Sequence, residues 1–313
     1  MTKKSYIIAG PTASGKSGFA LELAKRVGGT IINADSVQLY KGIEVLSSAP
    51  SQAEHSRQNA RHPGTEFVRG TKNRDPCTKR RDEVATEFVQ HSLYSILDLS
   101  EQTTVADYLK MAEREFEAAT VPIFVGGSGM YIDALVRGIS PIPMVSETNR
   151  ERARRMVLEA PEAARALTDF EFTDKQRMMR ALEVFLETGR TIGEWQKSPR
   201  IGKLPGRPIK ILINPTIDIL QDNVKMRLDK MMKNGAMEEA RANIDHTNRC
   251  IGIEELARVI RGESALEQAL ESLATRTMQY AKRQKTWFRG KFDADVTIPR
   301  SPTEADLEHV LTK

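Results

Sequence analysis

Residues 6–17 read YIIAGPTASGKS, and this stretch decides the expected fold. Tyr6–Ala9 is a short apolar run typical of a buried strand, and Gly10–Ser17 matches the pattern G-x-x-x-x-G-K-[ST]. The following residues, FALELAKRV, have helical periodicity. A strand, a glycine-rich loop and a helix in this order predict a loop whose backbone N–H groups bind a diphosphate or triphosphate, ATP included.

The phosphate-binding residues predicted by this pattern are those of the loop itself. Lys16 adds a positive charge, and the Ser17 hydroxyl is predicted to ligate Mg²⁺. The complete set is Gly10, Pro11, Thr12, Ala13, Ser14, Gly15, Lys16 and Ser17.

Further apolar runs alternate with helical segments along the chain. Thr30–Ala34, Val121–Val125 and Lys210–Asn214 are predicted strands. This alternation predicts an α/β fold, with a P-loop NTPase-like parallel sheet flanked by helices and a smaller helical insertion domain. We assign residues 1–140 and 199–313 to the catalytic core and 141–198 to the insertion domain.

Three longer segments have amphipathic helical patterns, and one segment has no clear period. The predicted helices are Thr173–Thr188, Asp218–Asn234 and a long one that begins near Ser264, where Ser264 and Glu267 match a capping box. Residues 55–88 are polar and rich in Arg and Thr, which indicates a loop or disordered insertion within the catalytic core domain.

Composition narrows the class of protein. The chain has 313 residues, a net charge of +5 and a pI of about 9.1, which suits a polyanionic partner without requiring one. Its two cysteines, Cys77 and Cys250, are far apart and indicate neither a disulfide framework nor a zinc site. No apolar stretch is long enough to cross a membrane, and we expect a cytoplasmic monomer.

Asp35 follows a predicted strand, and ligands of open α/β sheets bind at the carboxyl ends of strands. Its carboxylate could orient a metal ion or accept a proton from a substrate. The alternative is a structural cap for the turn that follows.

Six segments, in this order, resemble those of bacterial tRNA dimethylallyltransferases, members of the tRNA isopentenyltransferase family. They are GPTASGKS, ADSVQLYKG, VGGSGMYIDAL, SPIP, KQRMMRALEVFLETGR and QYAKRQKTWFR. The resemblance implies transfer of a dimethylallyl group from dimethylallyl diphosphate to N6 of the adenosine 3′ of the anticodon of tRNA, with assistance from Mg²⁺. It also implies that the insertion domain grips the anticodon stem-loop.

Residue roles follow from the same resemblance. Asp35 is implied to be the general base, Thr12 to touch the bridging oxygen of the diphosphate, and Arg150 to stabilise the departing diphosphate. Ser128 stands where the family usually has Thr and retains a hydroxyl. The implied tRNA contacts are Asp35, Ser36, Val37, Gln38, Ser128, Arg150, Gln176, Arg177, Met178, Met179 and Arg180.

Residues of the last predicted helix share one face. We expect Tyr280 and Trp287 to pack in the protein, with Arg276, Lys282 or Arg283 reaching RNA phosphates. Two other functions stay open. One is a P-loop kinase of nucleosides or small metabolites, and the other is a tRNA-binding remnant without activity.

Overall fold

The structure, a computed structural model, describes residues 3–50, 89–168, 174–247 and 249–313. The predicted insertion at 55–88 therefore lies outside the described residues. The chain divides into two compact units, one made of Met1–Asp133 and Pro205–Lys313 and the other of Ala134–Leu204.

The first unit is built on a parallel sheet, which confirms the predicted fold class. Its strands are β1 (Tyr6–Ala9), β2 (Thr30–Asn33), β3 (His91–Ser92), β4 (Pro122–Gly126), β5 (Ile209–Ile213) and β6 (Val296–Ile298). They lie in the order β3-β2-β4-β1-β5-β6, and every neighbouring pair is parallel. Parallel strands need crossover connections, which the helices supply.

The helices are numbered in chain order. They are α1 (Lys16–Val27), α2 (Glu44–Ser47), α3 (Val105–Ala118), α4 (Gly129–Arg137), α5 (Glu147–Glu159), α6 (Pro161–Ala166), α7 (Lys175–Thr188), α8 (Ile192–Gln196), α9 (Ile217–Lys233), α10 (Ala236–Ala242), α11 (Ile253–Ile260), α12 (Leu266–Lys291) and α13 (Glu304–Leu311).

The core of the first unit lies against the central strands. All four residues of β1 are fully buried, because helices cover both faces of a parallel sheet. Phe19 and Leu23 of α1 pack against Ile8 and Val125 in one apolar cluster. Each such side chain contributes roughly 1.5–3 kcal/mol when it leaves water. The apolar strand and the amphipathic helix thus hold the glycine-rich loop between two packed elements.

The predicted strands agree with the structure to within one residue at each end. β3 and β6 were not predicted, because strands of two and three residues give no usable period. The predicted capping box was wrong. The helix begins at Leu266 with Ala265 as its N-cap, so Ser264 lies one position too early and its hydroxyl donates to the Ala265 carbonyl.

The second unit has a small core of its own. Helices α5 and α7 pack together around a cluster made of Ala153, Val157, Ala164, Met178 and Leu182. Helix α7 begins at Lys175 because the Asp174 carboxylate accepts bonds from the next turn.

Gly126, the last residue of β4, supplies a stability prediction. A Cβ atom at this position would overlap the backbone carbonyl of Ala34 on the neighbouring chain segment. Because backbone cannot move aside cheaply, we expect Gly126→Ala to lower the free energy of unfolding by about 3 kcal/mol. Gly290→Ala is the control, since it has open space within α12 and should be neutral or stabilising. Chemical denaturation measures both, and equal stability of the two variants would contradict the assigned packing.

Candidate active site

Three strand ends meet at one edge of the sheet. Ala9 pairs with Gly126, and Asn33 pairs with Val125, so β1, β4 and β2 end side by side. The glycine-rich loop follows β1 directly. Asp35 comes two residues after the end of β2.

A cavity opens at this edge, within the first unit. Loop residues and Asp35 form one part of its lining, and apolar side chains from later helices and loops form another. The lining residues are Thr12, Lys16, Asp35, Val37, Gln38, Leu46, Ser47, Arg227, Met231, Cys250, Ile251, Leu273, Thr277 and Tyr280. The structure therefore brings the predicted phosphate loop and the predicted base into the same cavity.

The loop has a constrained backbone. Ala13 adopts a left-handed conformation, with φ of 63°, which is uncommon for a residue with a side chain. The Ala13 carbonyl accepts a bond of 2.8 Å from the amide of Asn223 on α9. Lys16 Nζ donates to the Pro11 carbonyl at 3.3 Å. These contacts restrain the backbone of the loop.

Positive charge is concentrated in the cavity. Burial lowers the pKa of Lys16 to about 8; Asp35 opposes this shift, and Arg227 adds to it. Burial also lowers the pKa of Arg227, and its guanidinium donates to the Leu46 carbonyl at 3.2 Å. Among the described residues it forms no ion pair. Two cations facing one carboxylate leave a surplus of positive charge, which favours an anionic ligand.

The Asp35 carboxylate lines the cavity and also stabilises its own turn. Its Oδ1 accepts a bond from the Val37 N–H at 3.1 Å, while the Asn33 side chain bonds both backbone groups of Asp35. A cap for the turn and a catalytic role for Asp35 are therefore compatible, because a single carboxylate oxygen, Oδ1, holds the turn.

The neighbouring hydroxyls form a small network. Ser128 Oγ accepts the Ser36 N–H at 2.9 Å and donates to Ser36 Oγ at 3.1 Å. Gln38 Nε2 donates to the carbonyls of Ser47 and Ser48. Ser36, Gln38 and Ser128 thus lie around Asp35, and their contact with a nucleotide stays a prediction.

Helix α2 carries the cavity residues Leu46 and Ser47 although it has a single turn. The Glu239 carboxylate on α10 accepts the N–H groups of Val45 and Leu46 at 2.9 and 2.7 Å. Burial raises the pKa of Glu239 although these bonds favour its ionised form. The carboxylate caps a helix too short to hold itself.

The remaining predicted tRNA contacts belong to the second unit. Arg150 pairs with Glu147, and Arg180 with Glu183, in each case three residues apart on one helix. Arg180 is exposed, and Arg150 is partly buried. Gln176 and Arg177 are exposed as well, and Met179 is partly buried. Met178 requires a correction. Its side chain is 4% exposed and packs in the core of the unit, so it supports α7 from inside rather than presenting a surface to RNA.

Helix α12 agrees with the sequence analysis in that Trp287 packs inside the protein. Tyr280 lines the cavity, and Trp287 packs where a side chain on Gly129 would be. Arg276 is exposed and forms an ion pair with the buried carboxylate of Glu255. For Lys282 and Arg283, contact with RNA phosphates stays a prediction.

Several residues of the cavity were missed from the sequence. Arg227 had a signal, because it is a cation flanked by Val224, Leu228 and Met231 on the apolar face of α9. Cys250 had none. Burial raises the pKa of its thiol to about 12, which keeps the sulfur protonated and inert beside the charged groups.

Together, the sheet and its loop define a P-loop α/β protein whose cavity is lined by two cations and one carboxylate. Residues 72–291 match the family described as IPP transferase, and residues 3–61 match isopentenyl transferase. The chain belongs to the IPP transferase family.

Individual relatives agree over most of the chain. It is 34% identical to the tRNA dimethylallyltransferase of Rickettsia massiliae, over 95% of this chain and 79% of the relative. It is 35% identical to the enzyme of the same name from Rhodospirillum centenum, over 94% of this chain and 90% of the relative.

Solved structures are similar in fold. The full-length tRNA isopentenylpyrophosphate transferase of Bacillus halodurans superposes with a TM-score of 0.63, at 25% identity, over 99% of this chain and 95% of that one. A eukaryotic dimethylallyltransferase acting on tRNA gives a TM-score of 0.71 at 20% identity, over 99% of this chain and 77% of that one. Among the described residues, no helix is both long and apolar enough to cross a membrane.

Proposed function

We propose that this chain transfers a dimethylallyl group from dimethylallyl diphosphate to N6 of the adenosine 3′ of the anticodon in tRNA. The observation that carries the proposal is the single cavity that joins Thr12 and Lys16 of the phosphate loop to the carboxylate of Asp35. Family membership supports the same reaction.

The proposed reaction is an alkyl transfer. The N6 nitrogen forms a bond to C1 of the allyl group while the bond between C1 and the diphosphate oxygen breaks. The diphosphate leaves with the electron pair, and Asp35 takes the proton that the amine loses. Lys16, Arg227 and the loop N–H groups stabilise the negative charge of the leaving group.

The apolar wall favours a prenyl donor over the nucleotide of a kinase. Leu46, Met231, Ile251 and Leu273 line the cavity that contains the phosphate loop. They offer a five-carbon chain apolar contact and no hydrogen-bond partner, whereas a ribose or a base would need polar partners.

Magnesium fits this site as an ion held mainly by the substrate. The described residues contain no cluster of three His, Cys, Asp or Glu that could hold a metal. Ser17 is exposed at the first turn of α1 and offers one hydroxyl oxygen. Mg²⁺ usually binds through few protein oxygens together with phosphate oxygens, and when bound it would neutralise charge on the diphosphate.

The RNA side of the proposal rests on the exposed arginines of the second unit. Arg177 and Arg180 lie on one face of α7, where guanidinium groups can contact phosphates of a stem-loop. The target adenine must leave its stack to react, which costs a few kcal/mol and requires a protein that holds the RNA backbone. The monomeric state and the cytoplasmic location stay predictions.

Incorporation of labelled dimethylallyl into an anticodon stem-loop tests the proposal. The stem-loop with adenosine 3′ of the anticodon should gain one prenyl group, identified by mass spectrometry of its nucleosides, and the same stem-loop with guanosine there should gain none. ATP-dependent phosphorylation without prenylation would instead establish a kinase. Binding of the stem-loop with neither product would establish a silent remnant.

The lowered pKa of Lys16 predicts how diphosphate binding depends on pH. The free protein loses this proton as pH rises through about 8, whereas a bound diphosphate stabilises the ammonium. Binding above pH 8 therefore requires proton uptake, and the affinity should fall by up to about tenfold per pH unit there.

Lys16→Arg provides the control, because arginine stays charged over this range. Ionisation of the ligand itself affects both proteins equally and cancels in their ratio. Calorimetric dissociation constants between pH 6.5 and about 9.5 should therefore diverge above pH 8. Parallel curves would show that Lys16 does not titrate in this range.

A further inference from the structure

The segment QYAKRQKTWFR lies in α12 and ties together the carboxyl ends of three strands. Gln284 reaches the ends of β1 and β4, and Trp287 packs over Gly129 just beyond β4. Lys285 Nζ donates to the Asn214 side chain at 2.6 Å and to the Pro215 carbonyl, both beyond β5. These three side chains therefore contact different parts of the sheet edge, and Gln284 also contacts the phosphate loop.

Gln284 uses both ends of its amide. Its Oε1 accepts the Thr12 N–H at 2.8 Å, and its Nε2 donates to the Gly127 carbonyl at 2.8 Å. The residue is 6% exposed, so water does not replace these partners easily. A Cβ atom on Gly127 would overlap Nε2, so the glycine leaves the space that the amide occupies.

The peptide between Pro11 and Thr12 is held from both sides. Gln284 binds its N–H, and Lys16 Nζ donates to its carbonyl at 3.3 Å. The next residue, Ala13, has the left-handed φ of 63°. A strained conformation persists only when its surroundings impose it, so the orientation of this peptide decides where Thr12 and the following N–H groups point.

We infer that Gln284 is a positioning residue that fixes the Pro11–Thr12 peptide in the orientation required to bind a diphosphate. It acts through the loop and does not line the cavity itself. The inference rests on the proposed function for the nature of the bound anion. It assigns a task to the α12 segment other than contact with RNA phosphates.

The test compares two variants of the same helix. Gln284→Met removes both hydrogen bonds of the side-chain amide, and Lys285→Met removes the hydrogen bonds to Asn214 and Pro215. Calorimetry measures the affinity of each protein for inorganic diphosphate in the presence of Mg²⁺. We expect Gln284→Met to raise the dissociation constant about tenfold or more, because the partly buried Thr12 N–H loses its partner and the loop loses its orientation. Lys285→Met should change it less than about twofold, since this anchor does not touch the loop.

Two further measurements separate positioning from folding. Thermal unfolding should show similar losses of stability for both variants, and their affinities for the stem-loop should stay within about twofold of wild type. Gly127→Ala should weaken diphosphate binding in the same way as Gln284→Met, because it displaces the amide from the opposite side.

Equal weakening by Gln284→Met and Lys285→Met would overturn the inference, as would wild-type affinity in Gln284→Met. A protein that binds no diphosphate at all would overturn it too. Because calorimetry needs no prenyl transfer, a wild-type protein that binds diphosphate but modifies no RNA would contradict the proposed function alone.

Discussion

Replacement of Asp35 by alanine is expected to lower the rate of prenyl transfer by about 10²–10⁴-fold, the usual contribution of a general base. An exocyclic adenine amine is a weak nucleophile, and it must lose a proton as its bond to carbon forms. Single-turnover measurements report this chemical step directly. The affinity for the stem-loop should change by less than about threefold, because one carboxylate supplies little of an RNA interface.

Asp35→Asn separates the two tasks of this side chain. Asparagine keeps an oxygen that can accept the Val37 N–H, so the turn survives, but it cannot take a proton from the amine. We expect its transfer rate to be as low as that of the alanine variant. Substantial activity in Asp35→Asn, or an equal loss of rate and RNA affinity in Asp35→Ala, would contradict the base assignment.

Arg227→Met is expected to weaken the binding of dimethylallyl diphosphate by about 100-fold, equal to about 2.7 kcal/mol. The guanidinium faces the cavity next to Lys16 and has no ion-pair partner among the described residues. Since desolvation of this guanidinium costs folding free energy that offsets its bond to Leu46 and its attraction to Asp35, the variant should be about as stable as the wild type. Arg227→Met should therefore lose diphosphate affinity without losing stability.

Lys225→Met is the matched control for Arg227. It removes one positive charge from the same helix, at an exposed position that does not line the cavity. Its diphosphate affinity should stay within about twofold of wild type, because solvent screens an exposed charge. If both variants lost affinity equally, the effect would come from net charge rather than from a contact in the cavity.

The sequence alone determined the parts of this protein that depend on neighbouring residues. The glycine-rich loop is eight consecutive residues between a strand and a helix, so its place in the chain and its type are encoded locally. The strands β1, β2, β4 and β5 follow from short apolar runs, and Asp35 follows from its place after one of them. Parallel strands bring their carboxyl ends to one edge, which is why Asp35 could be assigned to the same edge as the loop.

Only the tertiary structure decided which distant side chains complete the site. Gln284 lies 272 residues from Thr12, and Asn223 lies 210 residues from Ala13. Neither residue type carries a local pattern that points to the loop. The positions of the strands, the helices and the loop along the chain are set by nearby residues, whereas the convergence of α9 and α12 on the loop, which holds its backbone, is set by the packing of whole helices against the sheet.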